Sequence, residues 1–176
     1  PDRFIVGADA LNGRVMIKGW REDGGMSLDE FVSFYMSHGI TRVLCTDISR
    51  DVFLLKLTPG LNPAIFDMLA AMGYKGIVIE AFGLGGFNVL NKGLRGIQRC
   101  VEDGLSIVIT TQCLYDSSDL RVYQVGNKLL ELGVIQGRDM TSEAAMTKLM
   151  WAIGQGMDRR QIEALFKRNL AGEITV

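Results

Sequence analysis

The chain has 176 residues, of which 48% are apolar and 22% charged, with a formal net charge of −1. This is the composition of a globular chain with one domain or two small ones and a sizeable core. It lacks the basic excess that nucleic acid or an anionic membrane requires, and its apolar runs are too short to span a bilayer.

In chain order, Pro1 in place of Met points to a trimmed start, and the apolar run after Pro1-Asp2-Arg3 is too short for a signal peptide. Residues 3–8 and 14–19 are expected strands joined by an Asn12-Gly13 hairpin turn. Ser27 and Glu30 form a capping-box pair ahead of a helix. Its apolar stripe is Leu28, Phe31, Val32, Tyr35 and Met36, and Gly39 is its stop. Residues 42–49 open with an unbroken apolar run and read as a parallel strand.

A second strand follows at 52–58 with neither Gly nor Pro between Thr46 and Thr58. The rhythm then continues with a helix from Asn62-Pro63 to Met72, a strand at 76–83, and a helix from about 90 to 103. A buried strand at 106–113 and a helix at 117–133 come next. A short strand or loop at 134–140 precedes two closing helices, 141–153 and 158–169. Strands alternating with helices predict an α/β fold, a mostly parallel sheet with helices on both faces.

Four polar groups stand out first: Asp9, Thr46, Asp47 and Asp51, at the ends of two strands. Ligands of parallel α/β sheets bind at strand carboxyl ends, and two carboxylates there can act as acid and base. Capping of loops and helices is the commoner role for such aspartates, and from spacing alone it is favoured. The turn "AFGLGG" (81–86) lacks a complete G-x-G-x-x-G and any Walker lysine, so a tight turn needing positive φ explains it better than a phosphate cradle. "TTQC" (110–113) ends a buried strand with two hydroxyls, an amide and a thiol, a set able to hydrogen-bond a small amino acid. His38, the single histidine, sits at a helix end where a cation suits the dipole. Cys45, Cys100 and Cys113 form an odd set without C-x-x-C spacing, which suits a reducing cytoplasm. With one histidine and scattered thiols, neither a metal nor another cofactor is expected.

Two resemblances follow. "FIVGADALNGRVMIKGWREDGG" and "GITRVLCTDISRD", within residues 3–51, resemble the phosphoribosylformimino-aminoimidazole-carboxamide ribotide isomerases of histidine biosynthesis. The resemblance implies the fifth strand, helix and sixth strand of an eight-fold β/α barrel. It makes Asp9 a catalytic aspartate, Thr46 and Asp51 substrate-facing residues, and Trp20 the tryptophan of a mobile loop over the substrate. That family continues with Gly where Val52 stands. Its first-strand aspartate and its phosphate-gripping loops are absent.

"FLLKLTPG", "GIVIEAFGLGG", "VITTQCLY", "GRDMTSEAAMTKLMWAIGQ" and "NLAGEIT" resemble, in order, the C-terminal domain of cytoplasmic type I L-asparaginases. This resemblance implies a three-layer α/β domain in a homo-oligomeric cytoplasmic protein. Such a domain completes a neighbouring subunit's site and holds an effector asparagine. Thr111 and Cys113 match effector-contacting positions, and Glu80 joins them as a ligand-binding residue. Gly86 replaces the asparagine usual after the Gly-x-Gly turn, and "FNVLN" replaces a proline-containing segment. The catalytic threonine of that family belongs to an N-terminal domain outside this sequence.

The expectation is a chimera of two enzyme fragments, a partial barrel over 1–51 and an asparaginase C-terminal-like domain over 52–176, without a complete active site. The alternatives are an amidohydrolase C-terminal domain that binds asparagine, and an isomerase fragment. The Val43-Leu44 strand is expected to join no closed barrel. It either edges the asparaginase-like sheet or forms a small layer with strands 3–8 and 14–19.

Overall fold

A computed structural model of the chain describes residues 5–11, 13–19, 21–40, 43–47, 51–86, 91–113, 115–122 and 124–175. The chain divides into two compact units, Pro1–Ser49 and Arg50–Val176.

The first unit contains β1 (Val6–Leu11), β2 (Arg14–Ile17), β3 (Glu22–Ser27), α1 (Leu28–Ser37) and β4 (Val43–Asp47). Its sheet has the order β3-β2-β1-β4. β1 and β2 are antiparallel and close at Leu11↔Arg14, with Gly13 at φ 74°, a backbone that glycine adopts without strain. Asn12 lies outside the described residues. α1 begins as read: the Glu30 amide donates to Ser27 Oγ at 3.1 Å, and the Ser27 amide donates to Glu30 Oε2 at 2.7 Å. Its apolar stripe is only half-buried, and no α1 residue is fully covered.

β3 was not expected, because Glu-Asp-Gly-Gly-Met-Ser has no apolar alternation and its first four residues are exposed. It is held by backbone pairing to β2, and Asp23 accepts from the Arg14 guanidinium and from the Gly25 amide. The exposed Arg14–Asp23 pair adds little. β4 pairs in parallel with β1 from Val6↔Val43 to Ala10↔Asp47. It is therefore an edge strand of a small separate sheet, the second of the two expected placements, and no barrel closes among the described residues. Among the described residues of this unit, the buried apolar ones are Ala8, Ala10 and Val15.

The second unit runs β5 (Val52–Lys56), α2 (Ile65–Ala71), β6 (Gly76–Ala81), α3 (Asn91–Glu102), β7 (Ser106–Thr111), α4 (Gln124–Glu131), β8 (Ile135–Gln136), α5 (Ser142–Gly154) and α6 (Arg159–Phe166). Its four strands are parallel and stand in chain order. Alternate residues of each strand serve opposite faces. Ile77, Ile79, Ile107 and Ile109 pack with Phe66, Leu69, Ile97 and Leu129 from α2, α3 and α4. Val78, Val108 and Ile135 pack with Ala145, Leu149, Ile162 and Phe166 from α5 and α6. Burial on both faces is why the strands read as unbroken apolar runs. The result is the expected α/β fold, a parallel sheet between two helical layers.

One helix is shorter than its pattern suggested. α4 starts at Gln124, not at residue 117. The Ser118 amide donates to Arg138 O at 2.7 Å, its hydroxyl is shared between Ile109 O and Arg138 O at 3.1 Å each, and the Asp119 amide donates to Leu84 O at 2.9 Å. The Asp119 carboxylate accepts from the Arg121 amide at 3.1 Å, a local turn of the kind by which aspartate competes with helix.

The C-terminal segment is fastened to α5 by a buried charge. Lys148 lies on the apolar stripe of α5 with Ala145, Leu149 and Ala152, its side chain 4% exposed. Its Nζ donates to Arg168 O at 2.6 Å and to Glu173 Oε1 at 2.5 Å, and lies 5.5 Å from the centre of the Phe166 ring. Glu173 also accepts from the Leu170 and Ala171 amides at 3.0 and 2.7 Å. Burial pushes the Glu173 carboxyl up, but the Lys148 bond and these amides outweigh it and hold it down, from the ordinary 4.5 to about 2. A depressed carboxyl stabilises the fold fully above its unfolded value and loses that contribution as pH falls from about 4.5 towards 2. We expect Lys148→Met, which strands a buried carboxylate, to cost about 3 kcal/mol in urea unfolding at neutral pH. Glu173→Gln should flatten the acid limb between these two pH values, and an unchanged limb would disprove the linkage.

Candidate functional site

The candidate site is the carboxyl edge of β5, β6 and β7, where loops replace the ladder and polar side chains gather. After β6 the chain turns sharply: the Phe82 amide donates to Gly86 O at 3.1 Å, and the Gly85 and Gly86 amides donate to Phe82 O at 3.1 and 2.6 Å. Gly85 has φ 106°, and a Cβ there would stand 2.8 Å from Leu120 Cδ2, so both backbone and space require glycine. The Gly85 and Gly86 amides that would have cradled a phosphate are spent inside the turn, as expected of a conformational glycine motif. The "FNVLN" segment beyond it begins at residues 87–90, which lie outside the described residues.

β7 carries the polar cluster. Thr111 Oγ1 donates to Gly83 O and accepts from the Cys113 amide at 3.0 Å, tying the glycine turn to the strand end. Gln112 Nε2 donates to Leu57 O at 2.8 Å and to Glu80 O at 3.0 Å, while its backbone amide donates to Ala81 O at 3.0 Å. Glu80 pairs in register with Lys56 and Thr110, and its carboxylate is 3.6 Å from Lys56 Nζ. Thr110 Oγ1 and Ser142 Oγ share a buried hydrogen bond of 2.9 Å at the start of α5. Cys113 is exposed. Cys100 is different: burial, with Asp67 and Asp103 adding to it, pushes its thiol up to about 11, and it donates to Phe66 O at 3.4 Å. A thiol so held stays protonated and is a poor nucleophile.

Thr111 and Cys113 are therefore in direct contact. The Glu80 side chain leaves the sheet on the face opposite Thr111, since its register partner is Thr110. In the other unit, Asp9 and Thr46 are register partners on β1 and β4. Asp51 belongs to the second unit, where its carbonyl accepts from the Lys75 and Gly76 amides at 2.8 and 2.9 Å and its carboxylate pairs with Lys75 at 3.1 Å. Trp20 lies outside the described residues. Among the described residues no group of three or more histidine, cysteine or acidic side chains is placed to hold a metal ion. No helix of the described residues is long and apolar enough to cross a membrane.

Residues 51–166 match the glutaminase/asparaginase C-terminal domain. The chain belongs to that family. It is similar to the D-type subunit of glutamyl-tRNA(Gln) amidotransferase from Methanopyrus kandleri, 42% identical over 125 residues that cover 71% of this chain and 27% of that protein. The solved thermostable L-asparaginase of Thermococcus kodakarensis superposes with a TM-score of 0.66 at 42% identity, covering 72% of this chain and 38% of that one. L-asparaginase I of Vibrio cholerae gives 0.67 at 26% identity, covering 73% and 39%. The chain thus spans well under half the length of these relatives.

Within this family domain, Gln112, Ser118 and Ser142 organise the strand ends; Gln112 was expected as the ligand-facing amide of "TTQC" but gives its carboxamide hydrogens to backbone carbonyls, and Ser118 and Ser142 were not expected. Their bonds go to backbone carbonyls and to one hydroxyl distant in sequence, which no local pattern announces. Lys148 did leave a signal, a lysine on the apolar stripe of an otherwise buried helix face.

The Thr110–Ser142 bond can be tested by a double-mutant cycle. Thr110→Val strands a buried hydroxyl and should cost about 2 kcal/mol of unfolding free energy. With Ser142→Ala added, the double variant should lose clearly less than the sum of the singles, and strict additivity would show the bond to be unimportant.

Proposed function

We propose that the second unit is an accessory half of an amidohydrolase-type assembly, an asparaginase or a D-type component of an amidotransferase. It binds a small carboxamide amino acid, L-asparagine, at the carboxyl ends of β6 and β7 through Thr111 and Cys113, and completes a neighbouring subunit's site; Glu80, expected beside them, turns to the opposite face of the sheet. The family membership of residues 51–166 carries this reading. The hydrogen-bonded Thr111–Cys113 pair beside the glycine turn supports it, because it joins the strand end to the loop that would face a ligand. On this reading the protein is a cytoplasmic homo-oligomer, and the unit alone does not hydrolyse asparagine.

We further infer that residues 1–51 derive from a ribotide-isomerase barrel, so that the chain joins two enzyme fragments at residues 51–52. The supporting observation is the string Gly39–Asp51 with Asp9 and Thr46 in register on parallel strands. Isomerase turnover is not expected. The second phosphate grip is not encoded.

Calorimetry tests the principal reading. L-Asparagine should give binding heat with the whole chain, and Thr111→Val should weaken affinity at least about tenfold, a loss of one hydroxyl bond's worth of roughly 1.4 kcal/mol. Ammonia release above a buffer blank would overturn the accessory role, and the absence of heat would overturn the binding site.

A further inference from the structure

The three parallel strands β5, β6 and β7 end within a residue or two of one another, and each leaves carbonyl groups beyond its last ladder bond. At that place a single side chain spans all three. Gln112 follows the last residue of β7, and its backbone amide donates to Ala81 O, the last residue of β6. Its carboxamide nitrogen carries two hydrogens. One reaches Leu57 O, just past the end of β5, at 2.8 Å, and the other reaches Glu80 O at 3.0 Å. Glu80 O also accepts the Leu57 amide at 3.0 Å, so the carboxamide closes a small ring of bonds between β5 and β6. Gln112 is part-buried, which makes these bonds worth more than at an open surface.

The neighbours of Gln112 have the complementary task. Thr111 holds the turn 82–86 through Gly83 O, and the amide of Cys113 returns to Thr111 Oγ1. Three consecutive residues therefore set the positions of the segment after β5, the turn after β6 and the end of β7. Glutamine meets the requirement because it has a donor pair on an arm long enough to cross from β7 to β5. Glutamate has the length without the donors, and methionine has the length with no polar group.

We propose that Gln112 is the positioning residue of this site: its carboxamide clamps the ends of β5 and β6 to β7 and so holds Thr111 and Cys113 in a ligand-ready arrangement. This deepens the function proposed above and rests on it for the ligand, while the positioning rests on the geometry alone.

The test uses the full chain, with Gln112→Met and Gln112→Glu, and reads amide hydrogen exchange together with L-asparagine binding. With Gln112→Met, the Leu57 and Cys113 amides should exchange roughly tenfold faster or more, while Val108 and Leu149 in the sheet and α5 stay within about twofold. Asparagine affinity should fall by roughly tenfold. In Gln112→Glu the same amides should open at about pH 7.5 and regain protection towards about pH 5.5, as the carboxylate facing two carbonyls takes up a proton and becomes a donor. Lys56 and Glu80 are present equally in the wild-type protein, which serves as the control at each pH.

Unchanged protection at Leu57 and Cys113 in both variants would overturn the proposal. Uniform loss of protection in both variants would overturn it as well, because it would make Gln112 a determinant of global folding and not of the site. If the wild-type protein takes up no asparagine, the proposed function fails, and the exchange comparison still decides the clamp.

Discussion

In a parallel sheet covered on both faces, the backbone groups of the inner strands meet solvent or ligand only at the strand ends. The β5–β8 sheet obeys this constraint, and most of the polar architecture of the second unit answers to it. Where the ladder stops, its last carbonyls still need donors. Gln112 supplies them at Leu57 and Glu80, Thr111 at Gly83, and Ser118 at Ile109 and Arg138. The groups that shape the candidate site are thus the groups that terminate the sheet. A site built in this way is stiff, since moving one of its loops breaks bonds at a neighbouring strand.

A comparable arrangement holds the opposite layer. α5 offers a buried lysine where an aliphatic residue would pack, and the C-terminal segment wraps around it through Glu173 and the carbonyl of Arg168. Ile174 enters the core of that layer, 3% exposed, behind the pair. Asn169 completes the loop by donating to Ile174 O at 2.6 Å and accepting from the Gly172 amide at 2.7 Å. A charge pair in this position is costly to break and brings little net gain over apolar packing. Its effect is to specify where the last residues lie, beside the apolar surface of Trp151 and Leu170.

The first unit contrasts with this. Among its described residues, Ala8, Ala10 and Val15 are buried, α1 has a half-covered stripe, and β4 stands last in the sheet order. Asp9 and Thr46 lie in register on β1 and β4. Asp51, which the barrel-like reading of the sequence grouped with them, instead caps the entry of β6 by accepting the Lys75 and Gly76 amides.

By itself the sequence determined the elements whose information is local or periodic: the capping box at Ser27 and Glu30, the buried strands expected at 76–83 and 106–113 and found at 76–81 and 106–111, and the glycine turn within 81–86. It also determined the family of the second unit, because long strings of residues carry that likeness. Tertiary structure alone decided the rest. β3 exists only because β2 offers it a ladder, so its polar residues show no pattern of their own. Residues 117–122 lie outside helix α4, where Ser118 and Asp119 bond to distant carbonyls at Arg138, Ile109 and Leu84. Gln112 became the centre of the strand-end cluster for a similar reason: its partners, Leu57 and Glu80, lie 55 and 32 residues away. Periodicity records which face of an element is apolar, but it carries no record of which distant carbonyl a side chain will reach once parallel strands are laid side by side.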